Sequence, residues 1–195
     1  MDLAVSAARD AFDNGPWPKM SATERAECMS QLSELLKSKA EEIAATVTAE
    51  MGSPISFSLG GQAFAPIMVL DYYIELAKTF PFEEMRQGLL NPVKVFREPV
   101  GVVALVTPWN VPLFTIMSKL APALLAGCSA IVKPAPETPI NAFLLAELVA
   151  QTDIPAGVIN ILPANREVSQ YLVSHAGIDK VSFTGSTVAG SKIGA

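Results

Sequence analysis

From Val100 onward the chain alternates short runs rich in β-branched residues with longer helical stretches, and this alternation restricts the fold more than any other feature. The runs fall at residues 102–106, 130–132, 158–162 and 181–183. Helical stretches separate them at about 112–126, 139–151 and 167–175, and a fourth opens near Thr187. Strands that are apolar on both faces must be covered on both faces, so the pattern predicts a parallel sheet with right-handed helical crossovers. The expected class is α/β, with a doubly wound, Rossmann-like sheet. Only about two helical turns follow the fourth strand, too little to cover a sheet face, so the expectation is a truncated half of a larger arrangement.

Ahead of the sheet the chain reads helical. Ser21-Ala-Thr-Glu24 has the spacing of a capping box, in which the hydroxyl and the carboxylate each satisfy an orphan amide at a helix start. Met29, Leu32, Leu35, Leu36, Ile43 and Val47 then recur at helical spacing among Glu and Lys, predicting an amphipathic helix or helical pair to about Met51, stopped by Gly52-Ser-Pro54. A second apolar helix is expected over 63–79, broken by Pro81. Residues 82–98 carry Gly88, Asn91 and Pro92 and then Val93-Lys-Val-Phe96, which reads as a turn and a short strand outside the main core. The organisation expected is therefore a helical part over 1–81, an arm over 82–99 and the βα repeats over 100–195.

At 195 residues, 50% of them hydrophobic and 17% charged, the chain can bury an ordinary core. A net charge of −5 without a basic stripe argues against a nucleic-acid partner. The two cysteines, Cys28 and Cys128, form no CxxC and have no His-rich company, so neither a disulfide framework nor a metal site is expected. Residues 101–132 are strongly apolar, but Pro108, Asn110, Pro112, Lys119 and Pro122 interrupt them well short of the roughly 20 residues needed to span a bilayer. No basic residue precedes an apolar run at Met1-Asp2-Leu3, and the expectation is a cytoplasmic protein.

Open parallel sheets bind ligands beyond the carboxyl ends of their strands, which selects four loops: 107–110, 133–137, 163–166 and 184–187. In the last, Gly185-Ser-Thr-Val-Ala-Gly190 lets backbone amides and a hydroxyl approach a phosphate at a helix start, although a plain strand-to-helix turn would use the same residues. Lys133 ends the second strand, where it can donate to ribose hydroxyls, meet a 2′-phosphate, or simply be solvated at the sheet edge. Glu137 precedes Thr138-Pro139, which reads as a cap and first residue of the next helix. Asn110 can cap the helix opening near Pro112. Lys119 lies in an otherwise apolar helix, where an ammonium is costly unless it snorkels or serves a polar site. His175, just before Gly177, reads as a helix-end residue.

Taken together, residues 24–52 (ERAECMSQLSELLKSKAEEIAATVTAEMG), 97–139 (REPVGVVALVTPWNVPLFTIMSKLAPALLAGCSAIVKPAPETP), 154–163 (IPAGVINILP) and 178–190 (IDKVSFTGSTVAG) resemble the aldehyde dehydrogenase superfamily in order and spacing. Such enzymes oxidise an aldehyde to a carboxylic acid: a cysteine thiolate adds to the carbonyl, hydride passes to NAD or NADP, and water hydrolyses the thioester. The resemblance implies that Asn110 contributes its amide to the oxyanion hole and that Lys119 matches a relay lysine. It implies a cofactor cleft formed by Thr107, Pro108, Trp109, Lys133, Glu137, Gly185 and Ser186, and a substrate tunnel bounded by Val111, Phe114, Thr115 and Ser118. The nucleophilic cysteine and general-base glutamate of the family have no counterpart here, so the chain by itself is expected to be inactive. Alternatives are a non-catalytic NAD(P)-binding module and a structural remnant.

Two departures stand out. Many NAD-preferring members carry a glutamate three residues after the lysine; Pro136 stands there, with the acid at Glu137, which leaves NAD against NADP open. Val111 and Ser118 are smaller than the aromatic residues common at those tunnel positions, implying a wider passage for the aldehyde. The resemblance further implies that the arm belongs to the subunit interface of a homodimer or homotetramer, with a small aldehyde as the reaction partner and no role for a membrane.

Overall fold

The computed structural model describes residues 1–195. Its centre is a four-stranded parallel sheet of β3 (Val102–Val106), β4 (Ser129–Lys133), β5 (Ile159–Ile161) and β6 (Lys180–Phe183), in the order β5-β4-β3-β6. A separate antiparallel hairpin, β1 (Glu83–Gln87) and β2 (Pro92–Phe96), pairs only with itself, from Glu83 opposite Phe96 to Gln87 opposite Pro92. Every residue of β3 and β4 is buried, as the uninterrupted apolar runs require of central strands covered on both faces.

The alternation of side chains divides each strand between two cores. Val103, Leu105, Ala130, Val132 and Val158 join the larger, together with α6 (Pro112–Ala126), α7 (Ile140–Val149), α2 (Ala22–Ser38), α3 (Ala40–Met51) and α5 (Ala65–Leu76). Val102, Ala104 and Ile131 point the other way, onto Val5 and Ala8 of α1 (Asp2–Asp13) and Leu172 of α8 (Arg166–Val173). The sheet is therefore doubly wound. No helix is long and apolar enough to cross a membrane.

Local sequence rules account for most element ends. Ser21 and Glu24 form both halves of the capping box on α2, and Gly52 ends α3 in the left-handed conformation at φ 74°. The apolar helix expected over 63–79 starts earlier: α4 (Ile55–Phe57) runs into a wider π-type segment, Ser58–Phe64, before α5. The final helix, α9 (Thr187–Gly194), begins at an N-cap serine, Ser186, whose Oγ accepts from the Ala189 amide at 3.3 Å.

One expected cap is replaced. Pro139, not Thr138, precedes α7, and the Thr138 hydroxyl has no partner. Glu50 of α3 reaches across instead, accepting from the amides of Ile140 at 2.5 Å and Asn141 at 3.1 Å and from Asn141 Nδ2 at 2.8 Å. A full carboxylate charge at a helix start gains both hydrogen bonds and the dipole, which a threonine hydroxyl cannot match. The same contact ties α3 to the crossover between β4 and β5.

Candidate cofactor cleft

Two of the expected ligand loops meet through the backbone: the Thr107 amide donates to the Lys133 carbonyl at 3.2 Å, joining the ends of β3 and β4. On the opposite flank of β3 the Thr184 amide donates to the Val106 carbonyl at 3.0 Å, which brings the Gly185-Ser186 turn alongside. Over these strand ends, between α8 and α9, lies a cleft of about 710 Å³. Val106, Lys133 and Phe183 form its floor, Glu137 and Arg166 one rim, and Val173, Ser186, Val188 and Ile193 its walls.

Lys133 is not solvated at a sheet edge. It ends an interior strand, is 7% exposed, and lacks a hydrogen-bonded protein partner for its ammonium. Burial pushes that ammonium below the usual lysine range, with Glu137 pulling the other way. Thr107 is 2% exposed, and its Oγ1 is likewise without a partner. Buried polar atoms are nearly always satisfied, so the unpaired Thr107 hydroxyl, beside a largely buried lysine at the same strand ends, marks a place shaped for something other than protein. An anionic ligand rich in hydroxyls and phosphates suits these donors and the α9 start.

Gly185 is fixed by packing. A Cβ there would come within 2.5 Å of the Phe183 ring, which forms part of the cleft floor. Trp109 and Asn110 are both exposed and Pro108 half-buried. Asn110 does not cap α6: Val111 occupies that position, and the contribution of Asn110 is its backbone carbonyl, which accepts from Gln62 Nε2 at 3.1 Å. Its side-chain amide is left free of any capping duty.

Along α6 the remaining expected residues separate. Phe114 and Ser118 border an apolar groove of about 490 Å³ with Met68, Val69, Tyr72 and Tyr73 of α5, none of which was anticipated. Met68 and Tyr72 lie one turn apart on the same helix and are 70% and 61% exposed, an apolar stripe without protein cover. Thr115 points elsewhere: it is buried, its hydroxyl donating to the Val111 carbonyl at 2.8 Å. Lys119 turns toward β6, donating to Ser182 Oγ at 3.0 Å in a third pocket beside Cys128, and burial lowers its pKa as well. It is apart from the Lys133 cleft.

The profile of the aldehyde dehydrogenase family matches residues 1–195. This chain belongs to the aldehyde dehydrogenase family. It is 38% identical over 191 residues to geranial dehydrogenase of Castellaniella defragrans, covering 97% of this chain and 40% of that protein. Aminoacetaldehyde dehydrogenase of Pseudomonas aeruginosa is 41% identical over 188 residues, covering 96% of this chain and 38% of that protein. Among solved structures, a Mycobacterium tuberculosis aldehyde dehydrogenase complexed with NAD+ superposes with a TM-score of 0.96 at 40% identity, covering 99% of this chain and 40% of that chain. This aldehyde dehydrogenase chain thus spans about two fifths of the length of such relatives.

Proposed function

We propose that the chain forms the dinucleotide-binding portion of an enzyme that oxidises an aldehyde to a carboxylic acid with NAD+ or NADP+. The observation that carries this reading is the cleft over the strand ends, lined by the largely buried Lys133 with Glu137 and Ser186, beside which the buried Thr107 hydroxyl has no partner. When bound, the nicotinamide supplies a hydride acceptor. Lys133 holds ribose hydroxyls, with Glu137 beside it to balance the charge. Gly185, Ser186 and the first amides of α9 hold the pyrophosphate, where the helix end favours negative charge. Val173, Val188 and Ile193 give the adenine a flat apolar slot.

Thr107, Pro108 and Trp109 then lead from the cleft to Asn110. Its free amide is available to donate to a carbonyl oxygen as negative charge develops on it, and donors fixed in advance at such a point are worth most in the transition state. Phe114 and Ser118, with Met68 and Tyr72, offer an apolar bed for the aldehyde chain. Val111 lies at its head, and Thr115 shapes the wall from behind. Lys119 and Ser182 form a hydrogen-bonded pair suited to passing a proton.

Neither cysteine faces this machinery. Cys28 is buried on α2, and Cys128 is buried just ahead of β4, at the end of the sheet opposite the cleft. Burial raises the Cys28 thiol above its usual range, the wrong direction for a nucleophile. The 195-residue chain accordingly binds a dinucleotide and does not turn it over.

Calorimetric titration with NAD+ and NADP+, run beside an aldehyde-oxidation assay, tests both halves. Saturable binding without reduced cofactor is the expected result. Absence of binding would refute the cleft assignment, and turnover by this chain alone would refute the exclusion of its cysteines.

A further inference from the structure

The lysines of this chain fall into three groups. Lys37, Lys39, Lys78 and Lys94 pair with carboxylates, and Lys19, Lys180 and Lys192 are exposed. Burial lowers the basicity of the remaining two, Lys119 and Lys133, but at Lys133 the Glu137 carboxylate pulls the other way, and Lys119 has no such counterweight. Lys119 is half-buried, and its Nζ donates to a neutral hydroxyl, Ser182 Oγ, at 3.0 Å.

The pocket around this amine is built by three elements. Lys119, Pro122, Ala123 and Ala126 share one face of α6, at positions i, i+3, i+4 and i+7, while Val103 and Leu105 on β3 and Lys180 and Ser182 on β6 follow the alternation of their strands. The space between them is about 380 Å³, with walls that are mainly carbon. Its charged groups besides Lys119, Glu98 and Lys180, are both exposed. This pocket shares no lining residue with the cleft over Lys133. A primary amine that keeps its proton weakly, in an apolar pocket, is a nucleophile toward carbonyl carbon.

We infer that Lys119 captures aldehydes covalently, its Nζ forming an imine with an aliphatic aldehyde whose chain lies along the apolar walls of this pocket. The lone pair of the neutral amine adds to the carbonyl carbon, the carbonyl π electrons move to oxygen, and the proton released by nitrogen passes to that oxygen, giving a carbinolamine. Nitrogen then forms its second bond to carbon as the hydroxyl, protonated, departs as water. Amine and aldehyde thus become imine and water, with no change of oxidation level and no cofactor. Ser182 Oγ, already hydrogen-bonded to Nζ, is placed to hand the proton from nitrogen to oxygen. The inference is independent of the dinucleotide reading.

The test is incubation of the 195-residue chain with hexanal and sodium cyanoborohydride at neutral pH, which reduces an imine to a stable secondary amine, followed by peptide mapping to locate the hexyl group. Lys119 is expected to be labelled faster than Lys19, Lys180 and Lys192 by roughly tenfold, and unfolding in urea should abolish the preference. Lys119→Arg keeps the positive charge but supplies no nucleophilic amine, so it should lose the fast label while the slow labelling of exposed lysines persists. Uniform labelling of the folded chain, fastest labelling at Lys133 or at an exposed lysine, or a preference that survives in urea would overturn the inference. None of these results bears on whether the chain binds a dinucleotide.

Discussion

The two ends of the four-stranded sheet treat their charged groups in opposite ways. At the amino end they are tied into the protein. Asp179 accepts from the Val102 amide at 2.7 Å and from Arg9, and it lies so close to Gly101, at φ 126°, that any Cβ there would come within 1.9 Å of its Oδ2. Arg25, 5% exposed, donates to the Leu125 carbonyl near the end of α6 at 3.0 Å and to the Met20 carbonyl, with Phe82 beneath it. At the carboxyl end Lys133, Thr107 and Thr138 are as deeply buried and have no such partners. Ser129 Oγ and Trp17 Nε1 are exceptions near the amino end. One end holds the layers together; the other keeps polar groups unspent, at a cost in stability, where open parallel sheets receive ligands.

Substitutions should therefore sort by end. The largest loss is expected from Arg25→Ala, about 2–3 kcal/mol, because it empties a packed site and strands buried carbonyls. Urea unfolding measures it, and loss of nucleotide affinity in the still-folded variant would break the division between ends. Asp179→Ala comes next, at about 1–2 kcal/mol, because the buried Val102 amide loses its acceptor. The corresponding drop in melting temperature should again leave cofactor binding alone.

The carboxyl end should respond with the opposite sign. Lys133→Met removes a buried, unpaired charge and is expected to stabilise the chain by about 0.5–2 kcal/mol while abolishing dinucleotide binding. The pH dependence follows from the lowered pKa. Between its folded and unfolded values the unfolded chain binds more protons, so stability should climb as pH rises through the folded value toward about 10.4 and stay flat below that window. Lys133→Met should reduce that climb, and an unchanged alkaline profile would show that Lys133 carries no burial penalty. Thr107→Val is the smallest case: stability should stay within about 1 kcal/mol, with weaker nucleotide binding, because an unpaired buried hydroxyl contributes nothing to the fold.

The sheet was legible in the sequence because strands covered on both faces must be apolar throughout, and the runs at 102–106 and 130–132 satisfy that rule without tertiary information. The hairpin was half legible: β2 carries Val93, Val95 and Phe96, but Glu83–Gln87 is a polar strand defined only by its partner. The role of α1 was not, since covering the second face of the sheet is a property of packing; its start at Met1 has no side-chain cap to announce it. The Glu50 cap on α7 was equally hidden, because its donors lie about ninety residues away in sequence. Among site residues, loop position predicted the shared neighbourhood of Thr107, Lys133, Glu137 and Ser186. It could not show that Thr115 faces inward or that Lys119 turns toward Ser182, because side-chain direction on α6 depends on what packs against it. Met68 and Tyr72 carried a signal, apolar residues one helical turn apart, but an almost wholly apolar helix gives no sequence cue to which face stays open.

The claim that the carboxyl end of the sheet is the ligand-binding end is tested most directly by following backbone amide resonances during titration with NADP+. Shifts should concentrate at Thr107, Lys133 to Glu137, Arg166 and Gly185 to Thr187, and leave Gly101, Asp179 and the Arg25 surroundings unmoved. Shifts centred on the amino end, or none at saturating cofactor, would contradict it.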